Sequence, residues 1–284
     1  MVYNVKQFIN RNPNFKFKLL DLPNLVHGLP SCSRSALSKF LKKNGIKTFR
    51  SVKKSLLADE IKDERILFAN FVINQLNTNQ LDINNFVFTD ESTFNSSKVF
   101  TNFSRSVGGN YNDQNNHALY NRRKFKVNIY GILSRYNLKL VKIDGHLTRE
   151  MFRQMLIDNN YFRYMQSIVP GNVVFIQDNT TLHEFDNLFE DTIYDYCENQ
   201  DINILDFPRY SPEINLIENV WGYLKIKVYE SVQENNVRNE MDFFNRIVQI
   251  AETKIDQQFR DNLFDSYLNR LKKVLEFNGA QINY

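Results

Sequence analysis

Three carboxylates of this chain, Asp90, Asp178 and Glu218, occupy positions suited to binding a divalent cation. Two apolar runs rich in β-branched and aromatic residues, 84–90 and 172–178, each finish on one of the aspartates, which predicts strands that end at a carboxylate. Glu218 opens an amphipathic pattern that predicts a helix. Carboxylate oxygens are hard ligands of the kind that Mg²⁺ prefers. The three acids together therefore indicate a metal site.

Each acid also has an ordinary structural explanation. An aspartate at a strand end commonly caps a turn or a helix, and a glutamate in the first turn of a helix interacts favourably with the helix dipole. Taken singly, Asp90, Asp178 and Glu218 therefore favour a structural role. The order of the three motifs around them reverses that preference.

The segments FTDES, FIQDNTTLH and FPRYSPEINLIENVWGYLK follow one another between residues 88 and 225. In order, and nearly in wording, they resemble the three catalytic blocks of mariner-superfamily DNA transposases, in the Tc-like branch. The third block is the most specific, because a Ser-Pro, an Ile-Glu-Asn and a Trp in fixed order rarely coincide by chance. The resemblance extends from about residue 20 to residue 230.

The resemblance implies an α/β fold: a ribonuclease-H-like catalytic domain, with a mixed sheet flanked by helices, preceded by a small helix-turn-helix DNA-binding segment. It implies a DDE-type transposase with Asp90, Asp178 and Glu218 as catalytic residues. Such an enzyme cleaves DNA at transposon inverted repeats and joins the freed 3′ ends to target DNA at TA sites. We therefore expect double-stranded DNA as partner (transposon ends and target), a homodimer on DNA, and nuclear localisation.

The chemistry of phosphodiester cleavage and strand transfer favours two metal ions, which stabilise the attacking and the leaving oxygen. Magnesium keeps several waters and needs only a few carboxylates from the protein. We expect two Mg²⁺ or Mn²⁺ ions, with Asp90 bridging both and with Asp178 and Glu218 each completing one metal site.

The third acid has a competitor. Asp178 and Glu218 are separated by 39 residues, whereas 34 residues separate Asp178 from Glu213, and the shorter spacing is the common one among Tc-type relatives. Glu213 follows Ser211 and Pro212, where relatives carry a non-catalytic aspartate, and Glu218 occupies the Ile-Glu-Asn position. We therefore assign Glu218 as the ligand.

Residues near the acids are predicted to support them. Trp221, one helical turn after the glutamate ligand, is expected to pack in the core and fix its helix. Asn179 and His183 follow the second aspartate, and the histidine suits either a DNA contact or a local hydrogen bond. Glu91 is expected to face away from the metal site, because successive strand residues point to opposite faces.

The elements that must hold these acids are typical of an α/β domain. Strands are predicted over four segments, as two hairpins: 86–90 with 97–102, and 124–133 with 138–144. Helices and strands then alternate: helix 148–168, strand 172–178, helix 183–197, strand 202–207 and a helix from 216 onward. This order indicates a mixed sheet covered by helices.

The C-terminal region is predicted to be helical over 241–252 and 259–277. Apolar residues recur there every four positions, at Phe259, Leu263, Tyr267 and Leu271. This stripe suits either packing on the catalytic domain or a dimer contact.

Basic residues concentrate near the N-terminus. A helix is predicted over 31–45, with Ser31 or Ser33 as its cap and Gly45 after its end. It suits a solvated amphipathic helix and a DNA-recognition helix equally, and the family resemblance favours the second. Residues 34–54 contain eight lysines and arginines and no acidic residue, and a second basic cluster contributes three more. The predicted DNA-binding residues are Arg34, Lys39, Lys42, Lys43, Lys47, Arg50, Lys53, Lys54, Arg122, Arg123 and Lys124. The second cluster equally suits a solvated turn.

The predicted organisation has four parts. Residues 1–50 form the helix-turn-helix-like segment, 51–83 a basic linker and connecting helix, 84–230 the catalytic domain, and 231–284 the C-terminal helices packed on it.

Composition argues against several classes of protein. With 42% apolar and 24% charged residues, the chain reads as an ordinary soluble globular protein. Cys32 and Cys197 are too far apart to predict a disulfide framework or a zinc site. The first residues lack a signal-peptide core, and no run approaches the ~20 apolar residues of a membrane span. Two alternatives to a transposase stay open: a transposase-derived DNA-binding regulator without catalysis, and a ribonuclease-H-type nuclease.

Overall fold

The structure, a computed structural model, describes residues 2–11, 19–46, 57–96, 125–145, 147–177, 193–234 and 237–283. The chain divides into two compact units, Met1–Lys54 and Ser55–Tyr284. Each unit has its own hydrophobic core. Among the described residues, none of the helices combines the length and apolar character needed to cross a bilayer. The finer four-part division stays a prediction.

The first unit is helical. Its described elements are α1, a one-turn 3₁₀ helix, α2 and α3: Val2–Arg11, Leu19–Asp21, Leu22–Leu25 and Arg34–Lys43. Apolar side chains from these segments meet in one small core: Val5, Leu22, Val26, Leu29, Leu37 and Leu41. Pro23 is tolerated because it lies in the first turn of α2, where no intrahelical hydrogen bond needs its missing N–H.

Helix α3 forms where the sequence predicts it. The hydroxyl of Ser33 caps the helix by accepting a hydrogen bond from the backbone N–H of Ala36 at 3.3 Å. Gly45, just past the helix end, has a φ of +74°, a left-handed backbone that glycine adopts without steric cost. These local signals explain why the predicted cap and end are both confirmed.

A mixed sheet lies at the centre of the second unit. Its described strands are β1 to β5: Phe86–Asn95, Lys126–Leu133, Leu138–Ile143, Val174–Gln177 and Asn203–Ile204. They lie in the order β3-β2-β1-β4-β5, with antiparallel pairing among β1, β2 and β3, and parallel pairing of β4 with β1 and with β5. The predicted hairpin of β2 and β3 is confirmed, whereas the predicted strand 97–102 lies outside the described residues.

Strand β1 is longer than predicted. It does not end at Asp90 but continues to Asn95. The reason is its partner, because β2 pairs with β1 from Phe88 to Asn95 and satisfies the backbone groups beyond the aspartate. Asp90 therefore lies within a strand, directly opposite Gly131 of β2.

Helices cover the sheet. Their bounds are α4 Asp59–Asn77, α5 Arg149–Leu156, α6 Tyr161–Ser167, α7 Ile193–Asn199, α8 Leu216–Glu234, α9 Glu240–Lys254, α10 Gln257–Asp265 and α11 Tyr267–Glu276. The predicted helix 148–168 is wrong as a single element, because Asn160 adopts a φ of +58° and separates α5 from α6. The predicted helix 259–277 likewise divides into α10 and α11 at Ser266.

The C-terminal apolar stripe belongs to the protein's own core. The ring of Tyr267 packs edge-on against Phe86 and Phe88 of β1, with centroid distances of 5.8 Å and 5.3 Å. Leu263 and Leu271 are buried in the same core. Of the two alternatives for this stripe, packing on the catalytic domain is the one observed.

Candidate active site

The candidate site begins with a hydrogen bond between two elements that are far apart in sequence. The indole N–H of Trp221 on α8 donates to Oδ2 of Asp90 on β1 at 3.1 Å. Trp221 is 1% exposed, so the bond forms at the edge of the core. The tryptophan was predicted to pack in the core and fix its helix, and the structure adds a direct bond to the predicted metal ligand. A hydrogen bond to a carboxylate restricts its rotation, which is how a neighbour orients a metal ligand.

Gly131 makes this contact possible. It lies opposite Asp90 in the β1–β2 pair. A Cβ added to it would lie 2.6 Å from Cη2 and from Cζ2 of Trp221, and 2.7 Å from Cδ1 of Ile217. Only glycine lets the indole approach the strand this closely. Sequence reasoning did not single out Gly131, although a glycine inside a predicted strand is the usual signal of such a close approach.

Glu218 lies in the first turn of α8, and its side chain is exposed. It precedes Trp221 by three residues, so the two side chains lie about one helical turn apart on the same face. The backbone N–H of Glu218 donates to the carbonyl of Asn215 at 3.2 Å. The structure thus bonds the helix that carries Glu218, one turn after this residue, to the strand that carries Asp90.

Several predicted residues lie outside the described ranges: Asp178, Asn179, His183, Lys47, Arg50, Lys53, Lys54, Arg122, Arg123 and Lys124. Asp178 directly follows Gln177, the last residue of β4, and Gln177 pairs with Thr89, which directly precedes Asp90. Within the residues that the structure describes, no three His, Cys, Asp or Glu side chains form a group able to hold a metal ion. The predicted set is not complete there, since one of its three members is missing from those ranges.

The neighbour of Asp90 on the strand belongs to the opposite face of the sheet. Glu91 pairs with Tyr130 of β2, and the tyrosine ring lies in the core against Phe152 of α5. Burial, first of all, raises the pKa of Tyr130 well above its ordinary value, and the Glu91 and Asp90 carboxylates add to the effect. The phenol is therefore neutral at physiological pH. The expectation that Glu91 faces away from Asp90 agrees with this pairing.

Glu213, the competitor of Glu218, is held in a buried ion pair. Its carboxylate accepts a hydrogen bond from Nη2 of Arg65, a fully buried arginine on α4. It also accepts from the backbone N–H of Ile282 at 3.2 Å. Arg65 donates further to the carbonyl of Gly279 at 2.7 Å and to Oγ of Ser211 at 2.7 Å. The sequence held no sign of this cluster, because its parts are more than 60 residues apart.

The basic residues of α3 are displayed to solvent. Arg34, Lys39, Lys42 and Lys43 are all exposed. The three lysines lie on the side of the helix opposite the buried leucines, as expected for a turn of 3.6 residues. This face is positively charged and carries no acidic side chain within the helix. It is suited to phosphate contact.

Comparison with known proteins supplies a family. The model of the DDE superfamily endonucleases matches residues 85–240, more than half of the 284-residue chain. The chain is 24% identical over 261 residues to the Tc3 transposable-element transposase of Caenorhabditis elegans, covering 89% of this chain and 73% of that protein. It is 24% identical over 243 residues to the Tcb2 transposable-element transposase of Caenorhabditis briggsae, covering 84% of each.

Solved structures share the fold. The crystal structure of the mariner Mos1 paired-end complex with Mg matches 100% of this chain and 80% of that chain, with a TM-score of 0.75 and 16% identity. The crystal structure of a pre-cleavage Mos1 transpososome matches the same shares, with a TM-score of 0.74 and 14% identity. The predicted fold, a mixed sheet flanked by helices in a ribonuclease-H-like domain, is thereby confirmed.

Proposed function

Because this chain belongs to the DDE superfamily endonucleases, we propose that it is a DNA transposase of the Tc/mariner type, which cleaves DNA at transposon inverted repeats and joins the 3′ ends to target DNA. Its relatives from the two Caenorhabditis species are transposases by name. The observation that carries the proposal is the bond from Trp221 to Asp90, because it joins the strand of one predicted ligand to the helix that carries another.

The donor set suits a hard divalent cation. Asp90 and Glu218 offer carboxylate oxygens from a rigid strand and from the start of a helix, the ligand type that Mg²⁺ and Mn²⁺ accept. Mos1 complexes with Mg and with Mn are known. We therefore assign a divalent metal cofactor, held by Asp90, Asp178 and Glu218, and propose two ions. When bound, such ions stabilise negative charge on the attacking and leaving oxygens.

Asp178 is the third proposed ligand. The parallel pairing of β4 with β1 runs from Phe86 and Val174 up to Thr89 and Gln177. Gln177 directly precedes Asp178, and it pairs with Thr89, which directly precedes Asp90. This register of the described residues supports the proposal.

Glu218 suits the role of ligand better than Glu213. The Glu213 carboxylate is bonded to a buried arginine, and withdrawing it would leave the guanidinium of Arg65 buried without its negatively charged partner, which is strongly destabilising. Glu218 is exposed, so metal and DNA can reach it. The longer spacing from Asp178 therefore reflects extra residues before the last strand rather than a different ligand.

The other proposed properties rest on charge and on the family. The exposed lysines of α3 favour contact with the phosphates of double-stranded DNA at the transposon ends. TA target sites, a homodimer on DNA and a nuclear location are proposed by analogy with the transposases that the sequence resembles. The regulator and nuclease alternatives are less favoured, because the family match covers the catalytic region.

The decisive experiment compares Glu218→Gln with Glu213→Gln on a duplex that contains the flanking inverted repeats and Mg²⁺. Glu218→Gln should abolish strand cleavage and leave the melting temperature unchanged. Glu213→Gln should lower the melting temperature and keep metal-dependent cleavage. Cleavage lost only in Glu213→Gln would overturn the assignment. DNA binding without cleavage by the unmodified protein would favour the regulator, and cleavage confined to an RNA/DNA hybrid would favour the nuclease.

A further inference from the structure

A second buried arginine reaches the start of α8 from the C-terminal helix. Arg270 on α11 is 3% exposed. Its Nη1 donates to Oδ1 of Asn219 at 2.7 Å and to the backbone carbonyl of Glu213 at 2.8 Å. Its Nε donates to Oγ of Ser266 at 2.9 Å. One guanidinium therefore bonds both to the turn before α8 and to the first turn of the helix.

Asn219 directly follows Glu218, so this contact acts on the residue next to the proposed ligand. The first turn of a helix is its least secured part, because its N–H groups lack partners within the helix and its ends fray. Glu218 is exposed, whereas Asn219 is half-buried and accepts a hydrogen bond from Arg270. Motion of this turn would also displace the backbone position from which Glu218 extends.

We propose that Asn219 and Arg270 are positioning residues, which hold the first turn of α8 so that Glu218 presents its carboxylate to the metal ion. The inference rests on the proposed function. A positioning role differs from a purely structural role in one measurable respect. Loss of the hydrogen bond between Asn219 and Arg270 weakens metal binding more than an equal loss of stability caused elsewhere.

The test uses three single variants of the full-length chain and Mn²⁺ as the probe. Asn219→Leu keeps the side-chain size and removes the acceptor oxygen. Asn219→Asp keeps an acceptor in the same place. Val274→Ala removes buried apolar volume from α11 and keeps every group that bonds to Arg270, namely those of Asn219, Glu213 and Ser266, so it lowers stability and serves as the control.

Metal binding is read from the fluorescence of Trp221, which is the single tryptophan of the chain and bonds to Asp90. Calorimetric Mn²⁺ titration provides an independent reading, and metal-free DNA binding is measured in parallel. Asn219→Leu should raise the Mn²⁺ midpoint about tenfold, within the range seen when a residue that supports a metal ligand is lost. Asn219→Asp and Val274→Ala should not raise it, and DNA affinity should be unchanged in all three.

Two results would contradict the inference. One is a folded Asn219→Leu protein with the midpoint of the unmodified chain. The other is an equal rise in Val274→Ala, which would mean that general destabilisation is the cause. If the unmodified chain gives no Mn²⁺ response by either method, the metal-dependent function itself is wrong and the inference is wrong with it. Failure of the inference alone is distinguished by a normal response of the unmodified chain.

Discussion

Replacing Trp221 with phenylalanine tests whether the indole N–H orients the Asp90 carboxylate for metal binding. Phenylalanine keeps an aromatic ring in the core but removes the N–H that donates to Oδ2 of Asp90 at 3.1 Å. It also removes part of the ring that lies against Gly131. The substitution therefore has one consequence for stability and another for the orientation of the carboxylate.

The size of each consequence follows from the contacts. A hydrogen bond to a charged group contributes ~1.5–3 kcal/mol to stability, and the gap left by the smaller ring adds about 1 kcal/mol. We expect the free energy of unfolding to fall by about 2.5–4 kcal/mol in total. Loss of the group that orients a metal ligand typically costs about 10–100-fold in metal affinity. The Mg²⁺ concentration for half-maximal cleavage should rise accordingly.

The assay is cleavage of an inverted-repeat duplex over a range of Mg²⁺ concentrations. Metal binding is measured by calorimetric Mn²⁺ titration, because the Trp221→Phe variant has no tryptophan left to report binding by fluorescence. Phe175→Leu is the matched control. Phe175 is fully buried on the other face of the sheet, in contact with Phe162 of α6, so its loss lowers stability without altering the Asp90 carboxylate. A folded Trp221→Phe protein whose metal midpoint stays within about twofold of the unmodified chain would refute the orienting role.

Changes at three glycines and the titration of one cysteine also have defined outcomes. Gly131→Ala brings a methyl carbon within 2.6 Å of the indole, so the cleavage rate and the melting temperature should both fall. Gly222→Ala is the contrasting case, because its added Cβ meets nothing within 4 Å. It should stabilise helix α8 by ~0.5–1 kcal/mol, measured in thermal melts. Gly279→Ala should lower the urea midpoint, because its φ is +72° and its Cβ would collide with a backbone carbonyl of α4; a midpoint equal to that of the unmodified chain would contradict the collision. Burial raises the pKa of Cys197 to about 12, so a thiol reagent at pH 8 should modify only the exposed Cys32 until guanidinium is added. Since an unfolded thiol ionises near pH ~8.5, Cys197 should also make the fold less stable as the pH rises above that value.

Much of the local structure is readable from sequence because it depends on neighbouring residues. The Ser33 cap and the apolar spacing of Leu37 and Leu41 predict α3 by short-range chemistry alone. The apolar runs before Asp90 and Asp178 predict β-strands for the same reason. The three ordered motifs predict the family, which the comparison confirms.

The lengths of the strands and helices were predicted less accurately from the sequence. β1 continues past Asp90 because a partner strand is available there, and the aspartate gave no sign of that partner. The predicted helix 148–168 divides where Asn160 adopts a left-handed backbone, which asparagine tolerates but does not require.

The set of acids, their order and the kind of element expected to carry each are predictions that the sequence supports alone, because they follow from residue types and from periods of two or 3.6 residues. The side chains that support Asp90 and hold Glu213 became visible only in the folded chain. The bond from Trp221 to Asp90 spans 131 residues, and the contact between Arg65 and Glu213 spans 148. Contacts over such separations depend on how strands and helices pack together, and a linear pattern carries no record of that packing.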